Sequence, residues 1–190
     1  MKVSFARGQW ESAKFMQAYT FRYQETPAFV QGGDCIGSGV NPAHPEGYDN
    51  ISLLTTEKYA PGVRAHIRCA FEGLGCPEII IVPEAEACPD GATRYGACFE
   101  VVLYEKGFNV WRHFREDGRC FWHKRLGVQY PVAENVIHDL TVEVKADMLV
   151  IAVDGQKTEL RTEDVPPAFH LGITVCEGIA RVYDMKIESI

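Results

Sequence analysis

Residues Tyr95 to Arg125, with the sequence YGACFEVVLYEKGFNVWRHFREDGRCFWHKR, decide the fold of this chain. Three runs rich in β-branched and aromatic residues are separated by two turn signals, Lys106-Gly107 and Asp117-Gly118. A glycine at the second position of a two-residue turn is typical of β-hairpins, because these turns require positive φ. The stretch therefore predicts a three-stranded antiparallel meander.

The same alternation of apolar and polar residues continues on both sides of the meander, and no long amphipathic helix interrupts it. Further strands are predicted at 63–71, 79–82, 141–145, 148–153, 157–160, 170–175 and 180–187. Residues 31–50 and 84–93, rich in Gly, Pro and Asp, are predicted as long loops. About a dozen strands without covering helices favour an all-β fold, an antiparallel two-sheet β-sandwich, in a single domain over residues 1–190.

Composition restricts the partners and the location. The net charge of −7 argues against a nucleic-acid ligand, whose binders usually carry a basic stripe. Arg7, Glu11 and Lys14 interrupt the N-terminal segment, whereas a secretory leader needs about 7–15 uninterrupted apolar residues. No window approaches the roughly 20 apolar residues of a membrane span. We therefore expect a cytoplasmic protein with no membrane partner.

The seven cysteines fit this expected location as reduced thiols on strands. The sequence contains no Cys-x-x-Cys pair, so it predicts neither a zinc knuckle nor a thioredoxin-like centre.

Pairing the meander around its two turns gathers chemically useful side chains on one face. The hairpin at Asp117-Gly118 places His113 opposite Trp122 and Trp111 opposite Lys124, and a two-residue hairpin at Lys106-Gly107 places Glu100 opposite His113. The other face then carries Phe99, Phe114 and Phe121, a predicted core layer. A three-residue first loop would set Glu100 opposite Arg112, and we prefer the register that aligns the three phenylalanines.

This face suits a flat, hydroxyl-rich ligand. Trp111 and Trp122 offer apolar platforms with an N–H at the edge, Glu100 accepts hydrogen bonds, and Lys124 donates them. Glu100 beside His113 is also a candidate acid–base pair, since a carboxylate raises the proton affinity of an imidazole. The alternative is that both indoles lie in the sandwich interior or pack on a loop.

A second candidate cluster lies on the strand at 63–71. Arg64, His66 and Arg68 are spaced two apart and share one face, where arginine forks would grip an acidic sugar or a phosphate. The alternative is an ordinary solvated face balanced by acidic neighbours. The predicted turn at Glu177-Gly178 would bring a further glutamate to the rim of a sheet.

The order of the strands resembles that of the concanavalin A-like lectin and glucanase superfamily, which includes the laminin-G-type jelly rolls. The resembling segments are GVRAHIRCAFEG, YGACFEVVLYEKGFNVWRHF, LTVEVKADMLVIAVDGQ and FHLGITVCEGIARVYDMKIES, which span 51–189. The resemblance implies a jelly roll that binds sugar on a concave sheet, while fold alone does not dictate activity.

The hydrolytic signature of that superfamily, Glu-x-Asp-x-Glu on one strand, is absent. Glu100 and Glu105 are five residues apart and point to opposite faces, so hydrolysis by two carboxylates of one strand is not expected. Some jelly-roll lyases use Arg, His, Gln and Tyr instead, but no lyase motif matches.

The resemblance also leaves room for a structural calcium, with Asp34, Asp49 and Asp184 as loop or strand-end oxygens. No compact acidic loop supplies the six or more oxygens that such an ion needs, so no metal ligand is assigned and no cofactor is required.

Three hypotheses follow. The first is a lectin-like jelly roll that binds a saccharide or glycoside, alone or as a subunit of a larger assembly. The second is a hydrolase or lyase in which His113 acts as acid or base, Glu100 orients it, and Lys124 or an arginine stabilises developing charge. The third is an interaction module that forms a homo-oligomer through Trp111 and Trp122.

Overall fold

The computed structural model describes residues 1–22, 25–38 and 50–190. These ranges contain one 3₁₀ helix, Ser12–Lys14, and the following strands: β1 (Lys2–Ser4), β2 (Phe15–Thr20), β3 (Val30–Gln31), β4 (Ile36–Gly37), β5 (Ile51–Thr55), β6 (Val63–Glu72), β7 (Cys76–Val82), β8 (Glu86–Ala87), β9 (Thr93–Tyr95), β10 (Cys98–Tyr104), β11 (Gly107–Glu116), β12 (Arg119–Gln129), β13 (His138–Lys145), β14 (Met148–Val153), β15 (Gln156–Arg161), β16 (His170–Cys176) and β17 (Ile179–Ser189). No helix in the described part of the chain is long and apolar enough to span a membrane.

The strands form two sheets. The eight-stranded sheet has the order β15-β14-β13-β6-β17-β4-β3, with β1 also paired to β17. The nine-stranded sheet has the order β12-β11-β10-β7-β16-β5-β2-β9-β8. Neighbouring strands are antiparallel except β2 and β9. The predicted β-sandwich is therefore confirmed.

The core lies between the inner faces of the two sheets. Ala65, Ile67 and Phe71 of β6 are fully buried there, as are Ile79 and Val101 of the nine-stranded sheet. The polar residues that alternate with them point outward, as expected for strands with one face in a core. Burying each large apolar side chain contributes about 1.5–3 kcal/mol, which makes this layer the main source of stability.

A smaller apolar cluster covers part of the outer face of the nine-stranded sheet. Tyr95, Leu54 and Ile80 are buried in it. The Tyr95 hydroxyl is 2.8 Å from Ser52 Oγ, which in turn is 2.7 Å from Thr174 Oγ1. Because this cluster covers only part of the face, the part between β11 and β16 remains open.

The strand predictions from alternation are confirmed for β6, β7 and β13 to β17, which contain the seven predicted segments. The two long loops are interrupted by short strands: β3 and β4 lie around the start of the first, and β8 lies in the second. Residues 39–49 of the first loop lie outside the described residues.

The second hairpin of the meander has the predicted register. Asp117 and Gly118 both have positive φ, at 48° and 76°, as a two-residue turn of this type requires. His113 pairs with Trp122 and Trp111 pairs with Lys124.

The predicted register of the first hairpin is wrong by two residues. Tyr104 pairs with Gly107, so the turn is Glu105-Lys106 and Glu100 lies opposite Trp111 rather than His113. A turn centred on Lys106-Gly107 would force positive φ on a lysine, whereas here only Gly107 adopts it, at 123°. Gly107 also approaches β12 so closely that an added Cβ would lie 2.0 Å from the Val128 carbonyl oxygen.

The predicted layer of three phenylalanines is also wrong. Phe99 is buried in the core, but Phe114 is only partly buried and Phe121 is 38% exposed. The pairing of β10 with β11 ends at Cys98 and His113, so residues 114–121 of the β11–β12 hairpin extend past the end of β10 and outside the core. Phe114 and Phe121 stack on each other there, with ring centroids 5.3 Å apart.

Candidate functional site

A cleft of about 330 Å³ occupies the open part of the outer face of the nine-stranded sheet. Strands β7, β10, β11 and β16 form its floor, the edge strand β12 forms one side, and the turn after β16 contributes Glu177. The residues that determine its chemistry are Glu78, Glu100, Asn109, Trp111, His113 and Trp122. Four of these six belong to the face predicted from the meander.

The pairing of the strands explains why these side chains meet. Glu100 lies opposite Trp111 on one side and opposite Ile80 on the other. Glu78 lies opposite Val102 of β10, two residues from Glu100 on the same face. Since residues two apart on a strand share a face, the sheet brings the two glutamates into one cleft from neighbouring strands.

Glu100 and His113 form the contact that the sequence predicted. His113 Nε2 is 2.7 Å from Glu100 Oε2, and both side chains are nearly buried. The two residues are diagonal neighbours rather than directly opposite. The contact survives the register error because a shift of two residues keeps every side chain on its face. Cys98 lies opposite His113, and its thiol lies 3.8 Å from Glu100 Oε1.

Glu78 is a buried carboxyl group that the sequence reasoning missed. It is 1% exposed, the Cys176 thiol donates a hydrogen bond to its Oε1 at 3.2 Å, and its Oε2 has no partner in the described part of the chain. Burial and then the nearby charge of Glu100 raise the pKa of Glu78 well above its usual value of 4.5. Glu78 therefore retains its proton under conditions in which an exposed glutamate has lost it.

Two other acidic groups, Cys98 in the adjoining apolar cluster and Glu177 in the cleft wall, are shifted in the same direction. Burial, followed by the charge of Glu100, raises the pKa of the Cys98 thiol. Burial also raises the pKa of Glu177, an effect that the charge of Arg22 opposes. Several acidic side chains are therefore buried close together, where water solvates them poorly.

Both tryptophans face this cleft, so the alternative interpretation that they fill the sandwich interior is wrong. Trp111 is partly buried in the cleft and Trp122 is 43% exposed at its side. Lys124 Nζ lies 5.5 Å from the centroid of the Trp111 ring, and the Arg22 guanidinium lies 4.1 Å from that of Trp122. Two indoles with cations beside them therefore border the acidic floor.

Two amide oxygens in the cleft have no hydrogen-bond partner among the described residues. These are Asn50 Oδ1, just before β5, and Asn109 Oδ1, on β11. Most buried polar atoms are hydrogen-bonded, so such unpaired acceptors require an explanation. A ligand that donates hydrogen bonds would satisfy both.

The second predicted cluster lies on the other sheet, away from the cleft. Arg64 Nη2 is 2.6 Å from Glu143, and Arg68 Nε is 2.6 Å from Asp184. His66 Nε2 is likewise 2.7 Å from a carboxylate oxygen, that of Asp139. The structure thus provides the acidic neighbours that the alternative interpretation expected, and binding of an acidic ligand by these residues stays a prediction.

Among the described residues, neither Asp34 nor Asp184 belongs to a group of three metal-binding side chains. Asp184 is engaged by Arg68, and Asp49 lies outside the described residues. The group of metal-binding side chains that the described residues do bring together is Cys98, Glu100 and His113.

A signal for Glu78 was present in the sequence. It is the charged residue of CPEIIIV, a strand whose seven residues are all buried. A lone carboxyl group in such a run has to face a polar site or remain protonated.

The predicted turn at Glu177-Gly178 is confirmed, and it places Glu177 in the wall of the cleft.

No protein-family model and no curated protein sequence matches this chain. Solved structures do. The carbohydrate-binding module CBM66 from Bacillus subtilis has a TM-score of 0.64 at 11% identity, over 93% of this chain and 96% of that one. Beta-agarase A from Zobellia galactanivorans has a TM-score of 0.65 at 12% identity, over 100% and 91%.

A legume lectin-like domain from Entamoeba histolytica is similar as well, with a TM-score of 0.61 at 11% identity over 99% of this chain and 97% of that chain. At such low identity the likeness concerns the backbone arrangement, while the side chains of the cleft are this chain's own. The chain has the concanavalin A-like jelly-roll fold.

Proposed function

We propose that this protein recognises a carbohydrate, binding a saccharide or glycoside in the cleft of the nine-stranded sheet. The observation that carries the proposal is the combination, in one cleft, of two indoles with buried oxygens that have no hydrogen-bond partner among the described residues. Sugar rings have apolar faces that lie on aromatic rings, and their hydroxyl groups donate hydrogen bonds. The structures of similar fold include a carbohydrate-binding module and a lectin-like domain.

The dimensions favour a small ligand. A volume of about 330 Å³ is near the lower end of ligand-binding pockets, which run from about 300 to 1,000 Å³. Since the sequence also predicts a cytoplasmic location, we expect a mono- or disaccharide or a small glycoside rather than a polymer.

Each polar group has a distinct part in this proposal. The Asn50 and Asn109 oxygens accept hydrogen bonds from ligand hydroxyl groups. Glu78, which holds its proton, donates from its carboxyl O–H. Trp111 supports the apolar face of the ring, and Lys124 donates from beside it.

Calorimetry with a panel of saccharides tests the proposal. Trp111→Ala removes about 100 Å² of apolar contact, worth about 2.5 kcal/mol or roughly 70-fold in Kd. Arg161→Ala, on the other sheet and outside both candidate clusters, is the control and should leave Kd unchanged. Binding that is equally strong in both variants would contradict the assignment of the cleft.

Cleavage of a glycosidic bond is the second candidate function, favoured by the placement of Glu78 and Glu100 in one cleft. Glycoside hydrolases use two carboxyl groups kept in different protonation states by their surroundings. Glu78 retains its proton as a general acid would, while Glu100 is hydrogen-bonded to His113. Unlike the superfamily signature, the pair comes from two strands.

Turnover of the same saccharides separates binding from cleavage. Product formation that is lost in Glu78→Gln and Glu100→Gln, with binding retained, would assign catalysis. Binding without turnover would assign recognition alone. A dimer that becomes monomeric in Trp122→Ala would instead assign the exposed indole to a subunit interface and remove it from the saccharide site.

A further inference from the structure

We propose that Cys98, Glu100 and His113 bind a divalent transition metal of the zinc type in the floor of the cleft. The inference rests on the proposed function only in placing a ligand beside the metal, because the metal site itself is defined by these three residues. It differs from the structural calcium for which the resemblance leaves room, since thiolate and imidazole ligands select softer ions than calcium.

The pairing of two strands preforms the site. Cys98 and Glu100 are two residues apart on β10 and share a face, and His113 lies directly opposite Cys98 on β11. One ligand atom from each residue lies within 4.8 Å of the other two. Three ligands from two paired strands are held without any contribution from a mobile loop.

The distances require little adjustment. Zinc bonds of about 2.0–2.3 Å in a tetrahedron separate the ligand atoms by about 3.3–3.8 Å. The Cys98 thiol is already 3.8 Å from Glu100 Oε1. His113 Nε2 is 2.7 Å from Glu100 Oε2, so a modest rotation of either side chain would open that pair around an ion.

The acidic surroundings of the three residues also fit a bound cation. Glu78 Oε2 is buried in the same cleft and has no partner in the described residues, although Glu78 is 1% exposed. Glu177 adds a third carboxyl group to the lining. A dication bound beside Glu78 would supply positive charge to a region where acidic groups are buried together.

Three protein ligands leave the fourth coordination position of a tetrahedral ion free, and this position would face the cleft. Zinc sites with three protein ligands keep that position for water or a ligand oxygen. A saccharide hydroxyl bound there would add a polar contact to the stacking on Trp111. With the metal bound, Glu100 and His113 are ligands and cannot serve as an acid–base pair.

Cobalt titration of the full chain tests the site, after treatment with a chelator and under reducing conditions. We expect one Co²⁺ per chain, with a thiolate charge-transfer band in the near ultraviolet and visible bands of a tetrahedral ion, and displacement of both by Zn²⁺. Cys98→Ser should lose the charge-transfer band. His113→Ala should weaken binding by more than the 10–100-fold that loss of an outer partner costs.

The matched control is Cys176→Ser, which removes a thiol that lines the same cleft but lies outside the three-residue site. This variant should keep the band, and circular dichroism would establish that each variant folds. No Co²⁺ binding, or a band that persists in Cys98→Ser, would overturn the proposal. Trp111→Ala should bind Co²⁺ normally while losing saccharide, so either proposal can fail without the other.

Discussion

Replacing Glu78 with glutamine should make the protein more stable at neutral pH. Glutamine has the shape of a protonated glutamate and keeps the oxygen that accepts from the Cys176 thiol. Unlike glutamate it never has to become charged in a buried place. Stabilising substitutions commonly raise the free energy of unfolding by about 0.5–2 kcal/mol each.

The dependence on pH follows from the direction of the pKa shift. The unfolded chain releases the Glu78 proton near the usual value of 4.5, while the folded protein holds it to higher pH. Between those two values the folded state binds one more proton than the unfolded state, so the wild-type protein loses stability as pH rises. The maximum loss is about 1.4 kcal/mol per pH unit, and Glu78→Gln lacks it.

Urea unfolding of both proteins from pH 4 to 8, with a chelator present, measures the difference. The free energies of unfolding of the two proteins should nearly coincide at pH 4 and separate steadily above pH 5. Other titrating groups are common to both proteins and largely cancel. A difference that stays constant across this range would refute the conclusion that folded Glu78 holds its proton.

Five further substitutions, grouped in three tests, probe the fold. Gly107→Ala should lower the free energy of unfolding in urea by more than about 2 kcal/mol, because the added Cβ would meet a backbone oxygen and the φ of Gly107 is 123°. Gly118→Ala should lower it by only about 1 kcal/mol, because the space around the added Cβ is open. Ser52→Ala leaves buried hydroxyl partners unpaired and should cost about 1–3 kcal/mol by the same measurement. Phe99→Ala should cost about 3–5 kcal/mol and Phe121→Ala less than about 1 kcal/mol, and equal losses would contradict the finding that the ribbon projects beyond the core.

The strands and the faces of the meander could be predicted because both depend on local alternation. The sequence placed Glu100, Trp111 and His113 on one face, and this grouping survived a register error of two residues. The error itself arose at the turn. A lysine before Gly107 resembled a two-residue turn signal, but only the glycine adopts positive φ.

The other half of the site could not be predicted from local pattern, because it depends on which strands are neighbours. Glu78 is distant from Glu100 in sequence and meets it only because β7 pairs with β10. Phe114 and Phe121 were misplaced for a related reason. Alternation tells which face a residue occupies, but not whether another sheet lies over that face.

The cleft lies on a part of the outer sheet face that no apolar cluster covers, and this is itself evidence for a ligand. An apolar cluster that includes Ile80 already covers the adjoining part of the same face. Apolar residues in place of Glu78 and Asn109 would extend that cluster across the sheet. They would also remove two buried oxygens for which the described part of the chain offers no partner, at about 1–3 kcal/mol each. A sequence that keeps both polar groups there maintains a less stable surface, as expected where binding supplies the missing partners.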